Sequence, residues 1–216
     1  MKIAVYGGSF DPIHLGHLAV AEDVASAFQM ACVVFVPALV SPLRHWPIAE
    51  AWRRVQMCQI ATAGAPAFTV SEVDVRREPP SYTVDTLRDL RKEFPEDELH
   101  LIVGADALGE LKDWRGVAEL LSETKMIVVA RPGFDGRKID RVAAELQAPS
   151  GSLHLHDTTP LNISSTEIRR RIAAGLPFRH YVHPGVFGYI KRHGLYRGRH
   201  QDTAGGADAR LTEPGM

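Results

Sequence analysis

Two histidines stand directly behind a glycine pair near the start of the chain, in the run GGSFDPIHLGH over residues 7–17. Gly7 and Gly8 follow a short apolar segment and let the backbone pass close to a bound group without a Cβ in the way. A helix beginning near His14 would direct its unpaired N–H groups and its positive dipole end to the same place. Because His14 and His17 are three residues apart, they share one face of that helix. We interpret the run as an anion site in which two imidazoles stabilise negative charge.

Two other interpretations of this run stay open. The glycines could serve only to turn the chain, with the histidines capping a helix. A metal site is disfavoured, because no nearby cysteine or carboxylate has the spacing of zinc ligands and a phosphate site explains the glycines as well. We therefore expect no metal ion held by the protein itself.

A second segment with similar features lies near the other end of the chain. Ser164 and Glu167 form the S-x-x-E pattern of a capping box, which marks the start of a helix. Ser165 and Arg169 are four residues apart on that helix, so a hydroxyl, backbone N–H groups and a guanidinium can converge on one anion. Such a site would suit a triphosphate. The alternative is a well-capped surface helix whose basic run, residues 169–171, is solvated.

Both segments carry the signature of one superfamily. The run GGSFDPIHLGH resembles the HxGH motif of the nucleotidyltransferases that share ancestry with class I aminoacyl-tRNA synthetases, and ISSTEIR over residues 163–169 is similar to their second motif. The middle and end of the chain resemble the bacterial nicotinic acid mononucleotide adenylyltransferases, so the resemblance covers residues 1–197 in order. The segments that carry it are residues 80–83, 104–106, Trp114, 131–133 and 189–196.

The resemblance implies a division of roles. It assigns catalysis to His14, His17 and Arg169, which would neutralise charge in the transition state. In that family a Ser-Tyr-Thr loop offers donors to the nicotinate carboxylate, and a tryptophan stacks on the cationic pyridine ring. The residues implied to bind ATP are Gly7, Gly8, Ser9, Phe10, Gly104, Asp106, Arg131, Ile163, Ser164 and Ser165. Those implied to bind the acceptor are Arg44, Ser81, Tyr82, Thr83 and Trp114.

Three of these residues also have ordinary structural explanations. Trp114 can be a half-buried packing residue, since tryptophan commonly is one. Asp106 can cap the helix that follows its strand. The Pro-Gly step after Arg131 needs no ligand to form a turn.

The segment after the second predicted strand departs from the family pattern. Leu43 stands where the family has a histidine, and the sequence leaves open whether His45 replaces it. Arg44 can still neutralise an acceptor phosphate. We expect Arg54, in the following helix, to anchor this loop.

The composition bounds the class of protein. The chain has 216 residues, 45% of them apolar, which is enough for one continuous core and excludes a disordered or small stapled protein. A net charge of −1 gives no global basic field, so we expect no nucleic-acid partner. Neither a membrane span nor a signal peptide is apparent, and Cys32 and Cys58 have no motif spacing, so we expect a cytoplasmic protein with no membrane partner. The sequence leaves open whether the chain forms a homo-oligomer.

The elements that must position these residues alternate between strand and helix. Short apolar runs predict strands over residues 2–6, 32–37, 68–75, 99–103, 125–130 and 152–156. Helical spacing predicts helices over residues 14–29, 83–94, 138–147 and 184–193. It also predicts a helix that ends near residue 63, one or two helices that lead past residue 114 to residue 121, and a helix that begins at residue 164. This alternation predicts a doubly wound parallel α/β sheet, Rossmann-like with C-terminal helices, whose ligands lie beyond the carboxyl ends of the strands at the switch point. We expect one nucleotidyltransferase domain over residues 1–197 and a disordered tail over 198–216.

Together the motifs predict adenylyl transfer. By resemblance, the 5′-phosphate of nicotinic acid mononucleotide attacks the α-phosphorus of ATP and gives deamido-NAD and pyrophosphate. Because the nucleophile is already an anion, no general base is required, and Mg²⁺ is expected on the ATP phosphates with few protein ligands. Two alternatives stay open: another phosphorylated acceptor, such as nicotinamide mononucleotide or phosphopantetheine, and a non-catalytic nucleotide sensor that keeps the fold.

Overall fold

The computed structural model describes residues 1–40, 47–130, 133–158 and 161–197. Its strands are β1 (Lys2–Gly8), β2 (Cys32–Pro37), β3 (Phe68–Val70), β4 (Glu98–Gly104), β5 (Lys125–Ala130) and β6 (Leu153–Asp157). Its α-helices are α1 (Leu15–Phe28), α2 (Ala51–Thr62), α3 (Thr83–Glu93), α4 (Val117–Glu123), α5 (Arg137–Glu145), α6 (Ser165–Ala173) and α7 (Pro184–His193). The 3₁₀ helices are Ala105–Asp113, after β4, and Arg179–Tyr181, before α7. The predicted order of strands and helices is confirmed.

All six strands form one parallel sheet in the order β3-β2-β1-β4-β5-β6. The chain runs outward from β1 through β2 to β3, then crosses to β4 and continues outward in the opposite direction. This is the doubly wound, Rossmann-like sheet that the sequence predicts. Its switch point lies between β1 and β4, so the carboxyl ends of these two strands flank the expected ligand site.

Helices cover both faces of the sheet, because successive strand residues alternate between two cores. In β1, Ala4 belongs to the core built with α1, α2, α6 and α7, whereas Ile3 and Val5 belong to the core built with α3, α4 and α5. The C-terminal helices therefore lie on the same face as α1. This shared face allows the second predicted motif to approach the first.

The predicted strand over residues 68–75 is wrong in its second half, since β3 ends at Val70. The N–H groups of Val75 and Arg76 both donate to Glu72 O, at 3.1 Å each, which closes a turn. The apolar and polar residues alternate there with the period of a strand. The backbone groups of this segment form turn hydrogen bonds instead of the hydrogen bonds to a neighbouring strand that a longer β3 would require.

No helix within the described ranges is both long and apolar enough to cross a membrane. The predicted disordered tail, residues 198–216, lies outside the described residues. The assignment of residues 1–197 to one domain stays a prediction.

Gly185 sets how closely α7 approaches α2. A Cβ at this position would lie 2.6 Å from Ile60 Cγ2, well inside a normal van der Waals contact. Gly185→Ala should therefore lower the free energy of unfolding by about 1–3 kcal/mol, the usual cost of overpacking, as measured by urea denaturation. Gly188→Ala in the same helix is the matched control, because no atom lies within 4 Å of its added Cβ. It should be neutral or stabilising, since alanine favours a helix; equal losses in both variants would contradict the packing argument.

Candidate active site

A cavity of about 380 Å³ opens at the switch point, between the carboxyl ends of β1 and β4. The first turns of α1 and α3 and the 3₁₀ helix after β4 contribute its other walls. Residues predicted to bind ATP and residues predicted to bind the acceptor therefore meet in one space. The predicted site residues that line it are Gly7, Gly8, Ser9, Phe10, His17, Ser81, Thr83, Gly104, Asp106 and Trp114.

Gly8, the second glycine of the pair, makes room for the ring of Phe10. A Cβ on Gly8 would lie 3.1 Å from that ring, whereas a Cβ on Gly7 would meet no atom within 4 Å. Phe10 has a φ of 45°, in the left-handed region that is strained for an L-residue with a bulky side chain. Its burial and its edge-to-face contact with His17, with ring centroids 5.0 Å apart, hold it there. The loop is therefore fixed by packing before any ligand binds.

The rings of His14 and His17 stack, with centroids 3.6 Å apart and planes 19° from parallel. His17 Nδ1 accepts a hydrogen bond from the His14 N–H at 3.2 Å, so the ring hydrogen of a neutral His17 is on Nε2. Burial lowers the pKa of His14 to about 4. Burial, and then the neighbouring His14, lower the pKa of His17 well below its usual value. Both imidazoles are thus neutral at pH 7 in the free protein.

His14 lies behind His17 and is not part of the cavity lining. It is 6% exposed, and its Nδ1 is buried with no hydrogen-bond partner among the described residues. A Cβ on Gly16 would lie 3.1 Å from this Nδ1, so the glycine between the two histidines leaves space for the stacked ring. An unpaired buried nitrogen is costly, so the position of His14 lowers the stability of the fold.

The second predicted motif lies directly against the first. Ser165 Oγ donates to Pro12 O at 2.9 Å, and Arg169 Nη1 donates to Asp11 O at 2.7 Å. The start of α6 is therefore attached to the loop between the glycine pair and α1. The Arg169 side chain remains 25% exposed, so its charge is still accessible to a ligand.

The start of α6 is as the sequence predicts, with one difference. Ser164 Oγ accepts the Glu167 N–H at 3.2 Å, which confirms the N-cap. The Glu167 carboxylate binds Arg170, at 2.7 and 2.8 Å, instead of returning to the Ser164 N–H. Both partners in this contact are charged, which makes it the stronger choice. Ile163, just before the cap, packs into the core on the α1 face.

Ser81 and Thr83, both predicted to bind the acceptor, have different roles in the structure. Ser81 Oγ accepts the Leu39 N–H at 3.0 Å, and the Ser81 N–H donates to Val40 O at 2.8 Å. Ser81 therefore fastens the segment after β2, and its backbone donor is already occupied. Thr83 is the first residue of α3 and lines the cavity, where the unpaired N–H groups of a helix start favour an anion.

The two aromatic residues predicted for the acceptor are also placed differently. Tyr82 does not line the cavity; its ring lies under the Arg115 guanidinium, 4.7 Å from the ring centroid. Trp114 does line the cavity and is half-buried. Its Nε1 is enclosed without a hydrogen-bond partner among the described residues. The geometry thus makes Trp114 available for stacking and leaves the Tyr82 ring a packing role.

Gly104 and Asp106 are close together at the end of β4. A Cβ on Gly104 would collide with Asp106 Oδ1, so the glycine makes space for this carboxylate. Burial, and then the negative charge of Asp106, raise the pKa of Tyr6 in the cavity wall. Arg44 and Arg131, predicted to contact the acceptor and ATP, lie outside the described residues.

A buried arginine connects the loops around the cavity. Arg54 is 1% exposed and donates to four carbonyl groups: Ser9 O at 2.6 Å, Ala38 O at 2.7 Å, and Leu39 O and Ala49 O at 3.1 Å. The expectation that Arg54 anchors the loop after β2 agrees with these contacts. The same guanidinium also fixes the glycine loop, which the sequence did not indicate.

Asp11 is a residue of the site that the sequence analysis did not single out. It is 4% exposed. Its carboxylate accepts hydrogen bonds from the N–H groups of Ile48 at 2.8 Å and Ala49 at 3.1 Å, and from the Tyr196 hydroxyl at 2.7 Å. Its place inside the GGSFDP run was the available signal.

Asp74 and Thr86 also line the cavity without having been identified from the sequence. Thr86 Oγ1 donates to Asp74 Oδ1 at 2.6 Å. Burial raises the pKa of Asp74 above its usual value, while the Thr86 hydroxyl and the Arg77 charge oppose that shift. The sequence analysis placed Asp74 in a strand over residues 68–75, whereas in the structure it lies in a turn that brings it against α3.

Comparison with known sequences gives consistent matches. The chain matches the family model described as cytidylyltransferase-like over residues 5–171. A protein of Leifsonia xyli subsp. xyli named "Probable nicotinate-nucleotide adenylyltransferase" is 44% identical over 196 residues, which are 91% of this chain and 94% of the relative. A protein of the same name from Thermus thermophilus is 42% identical over 197 residues, which are 91% of this chain and 100% of the relative.

Solved structures share the fold. The Plasmodium falciparum nicotinic acid mononucleotide adenylyltransferase complexed with NaAD superimposes with a TM-score of 0.74, over 90% of this chain and 97% of that chain. The two sequences are 21% identical, so this likeness concerns the fold. It agrees with the six-stranded parallel sheet described above.

The buried histidines should make the protein less stable in acid. The pKa of His14 is about 4 in the folded chain and near 6.5 in the unfolded chain, so only the unfolded chain takes up the proton as the pH falls from 6.5 towards 4. His14→Gln should therefore lose about 2 to 3 kcal/mol less of its unfolding free energy than wild type between pH 7.5 and 4.5. Urea denaturation at both pH values measures the difference. His180→Gln, which removes an exposed imidazole, should keep the wild-type pH dependence; identical losses in wild type and His14→Gln would show that His14 is not held neutral.

Proposed function

The chain belongs to the nicotinate-nucleotide adenylyltransferases of the cytidylyltransferase-like family, and on that basis we propose that it transfers the adenylyl group of ATP to nicotinic acid mononucleotide. The products are deamido-NAD and pyrophosphate. The observation that carries the proposal is the cavity at the switch point, whose lining combines His17 and Asp106 with Thr83 and Trp114. Its volume of about 380 Å³ is within the range of small-molecule sites.

The histidines would act on the phosphates of ATP. His17 Nε2 carries the free ring hydrogen and can donate it to a phosphate oxygen, because Nδ1 is occupied by the His14 N–H. A triphosphate placed against the pair would raise both imidazole pKa values and favour uptake of a proton, since a nearby negative charge stabilises the charged form. His14, stacked behind His17, would share that proton or hold its neighbour in place.

The α6 residues would supply permanent charge and position. Arg169 is charged at all relevant pH values and can neutralise a transition state in which negative charge spreads over the transferred phosphoryl group. The bonds from Ser165 and Arg169 to the carbonyl groups of Pro12 and Asp11 support a second task, which is to hold the glycine loop. The acceptor phosphate is already an anion, so the reaction needs alignment and charge neutralisation and no general base.

The acceptor would lie between α3 and Trp114. The unpaired N–H groups at the start of α3, at Thr83, can donate hydrogen bonds to the nicotinate carboxylate, and Trp114 can stack on the cationic ring. Ser81 contributes by fixing the segment after β2, through its bond to Leu39. Arg44 stays the proposed partner of the acceptor phosphate.

Mg²⁺ would enter the reaction as part of the ATP substrate. The described residues include no cluster of three or more His, Cys, Asp or Glu side chains suited to a metal ion. Phosphate oxygens and water are the ligands that Mg²⁺ prefers in nucleotide sites, and we assign it to them. The expected compartment is the cytoplasm, where Cys32 and Cys58, both unpaired here, would stay reduced.

Turnover with matched acceptors tests the proposed reaction. Pyrophosphate release should be faster with nicotinic acid mononucleotide than with nicotinamide mononucleotide, because the amide lacks the negative charge that the start of α3 favours. We expect kcat/KM to differ by at least about tenfold, the effect of one lost charge-assisted contact of about 1.4 kcal/mol. A preference for the amide would reject the acceptor assignment. ATP binding without pyrophosphate release from either acceptor would favour a nucleotide sensor.

His17→Ala tests the catalytic assignment. Loss of a donor aimed at developing charge should lower kcat by about 100-fold or more. The fold should be retained, because the imidazole is partly exposed at the cavity and a smaller side chain can be accommodated there. Steady-state kinetics and the urea unfolding midpoint should be measured on the same preparation. Unfolding of the variant in place of a kinetic defect would show that His17 is structural.

A further inference from the structure

A buried carboxylate in the cavity wall has no part in the reaction as described above. Asp74, in the turn after β3, is 5% exposed and lines the cavity together with Thr83 and Trp114. Its Oδ1 accepts the Thr86 hydroxyl at 2.6 Å and lies 3.1 Å from Arg77 Nη1. No described residue donates a hydrogen bond to its Oδ2. One oxygen of this carboxylate is therefore fixed by the Thr86 hydroxyl, and Asp74 is part of the cavity wall.

The neighbouring positive charge neutralises Asp74 only in part. Arg77 also binds Asp89 on the outer side of α3, with Nε and Nη2 at 3.2 and 2.7 Å from Asp89 Oδ2. One guanidinium is thus shared between two carboxylates. Lys92 also binds Asp89, but its side chain is 77% exposed, so water and salt screen its charge. A net negative charge remains at Asp74, where burial makes its field stronger than it would be in water.

The hydrogen bond between Thr86 and Asp74 fixes two opposite charges relative to each other. Thr86 lies one turn after Thr83, the residue at the positive start of α3. The cavity wall therefore presents a partial positive charge and a carboxylate on one rigid unit. A ring that carries both an anionic and a cationic group would match this arrangement.

We propose that Asp74 recognises the positive charge of the acceptor ring and selects against acceptors whose ring is uncharged. The inference rests on the proposed function, since the ring of nicotinic acid mononucleotide carries a quaternary nitrogen beside its carboxylate. The start of α3 binds the carboxylate, Trp114 offers its aromatic face, and Asp74 stabilises the ring cation. Asp74 is thus a specificity residue of the acceptor site.

The test uses two acceptors that differ only in ring charge. One is nicotinic acid mononucleotide, and the other is its C-riboside analogue, in which a benzoate ring replaces the pyridinium while the carboxylate, ribose and phosphate are kept. The ratio of the two kcat/KM values for pyrophosphate release is measured on one preparation, so it does not depend on the active fraction. Wild type should favour the pyridinium, and Asp74→Asn should lower the ratio by roughly tenfold, with the loss in the pyridinium substrate.

Three variants separate ring recognition from a structural effect. Asp89→Asn leaves Asp74 in place but lets Arg77 neutralise it more fully, so it should lower the ratio in the same direction and by less than Asp74→Asn. Asp74→Glu keeps the charge and should retain most of the ratio. If Asp74→Asn does not fold because Arg77 loses one of its two carboxylate partners, the double variant Asp74→Asn/Arg77→Gln removes the Asp74–Arg77 pair together and should show the same lowered ratio.

Two results would overturn the inference. An unchanged ratio in Asp74→Asn would show that Asp74 does not sense ring charge. Equal losses with both acceptors would show that Asp74 positions the wall or binds the ribose. Absence of pyrophosphate release by wild type with nicotinic acid mononucleotide would instead reject the proposed function together with this inference, so the two failures can be told apart.

Discussion

Asp11 is the residue on which the geometry of the cavity depends, because it joins four segments that are distant in sequence. Its carboxylate binds the N–H groups of residues 48–49 and the Tyr196 hydroxyl, and its carbonyl oxygen binds Arg169. A hydrogen bond to a buried charge contributes about 1.5–3 kcal/mol, and leaving such a charge unpaired costs more. Burial and the charge of Asp11 raise the pKa of Tyr196, which keeps its hydroxyl a donor. The glycine loop is therefore held by the C-terminal part of the chain, which explains why the fold continues after its sixth strand.

The free site combines a backbone fixed by buried charges with a pair of neutral histidines. Arg54 donates hydrogen bonds to carbonyl groups of the loops after β1 and β2, and Asp11 accepts hydrogen bonds from N–H groups just before α2. The two buried charges therefore satisfy complementary backbone groups around the cavity. The histidines are different, because burial keeps His14 and His17 uncharged at pH 7 in the free protein. The same desolvation that lowers stability in acid would let a bound anion raise the pKa of these imidazoles, since a nearby negative charge favours their charged form.

The sequence predicted the fold and both motifs because these depend on local patterns. Apolar runs marked the strands, and the S-x-x-E pattern marked the start of α6. Contacts between distant segments were not accessible in this way. The alternation of residues 68–75 cannot distinguish a strand from a turn, and the partner that decides the matter, Thr86, lies twelve positions beyond Asp74. The protonation of His14 likewise depends on burial by elements that only the fold brings together.

The position of the cavity between α1 and α3 also explains its mixed charge. These helices lie on opposite faces of the sheet, and both begin at the switch point, so two positive helix ends meet there. That arrangement suits a reaction that must bring two anions together. Helix ends alone would attract any pair of anions, however, and they carry no preference for a ring cation or a ribose. The carboxylates Asp74 and Asp106 in the same wall would add that discrimination, because a carboxylate favours a substrate that presents a positive charge or a hydrogen-bond donor to it.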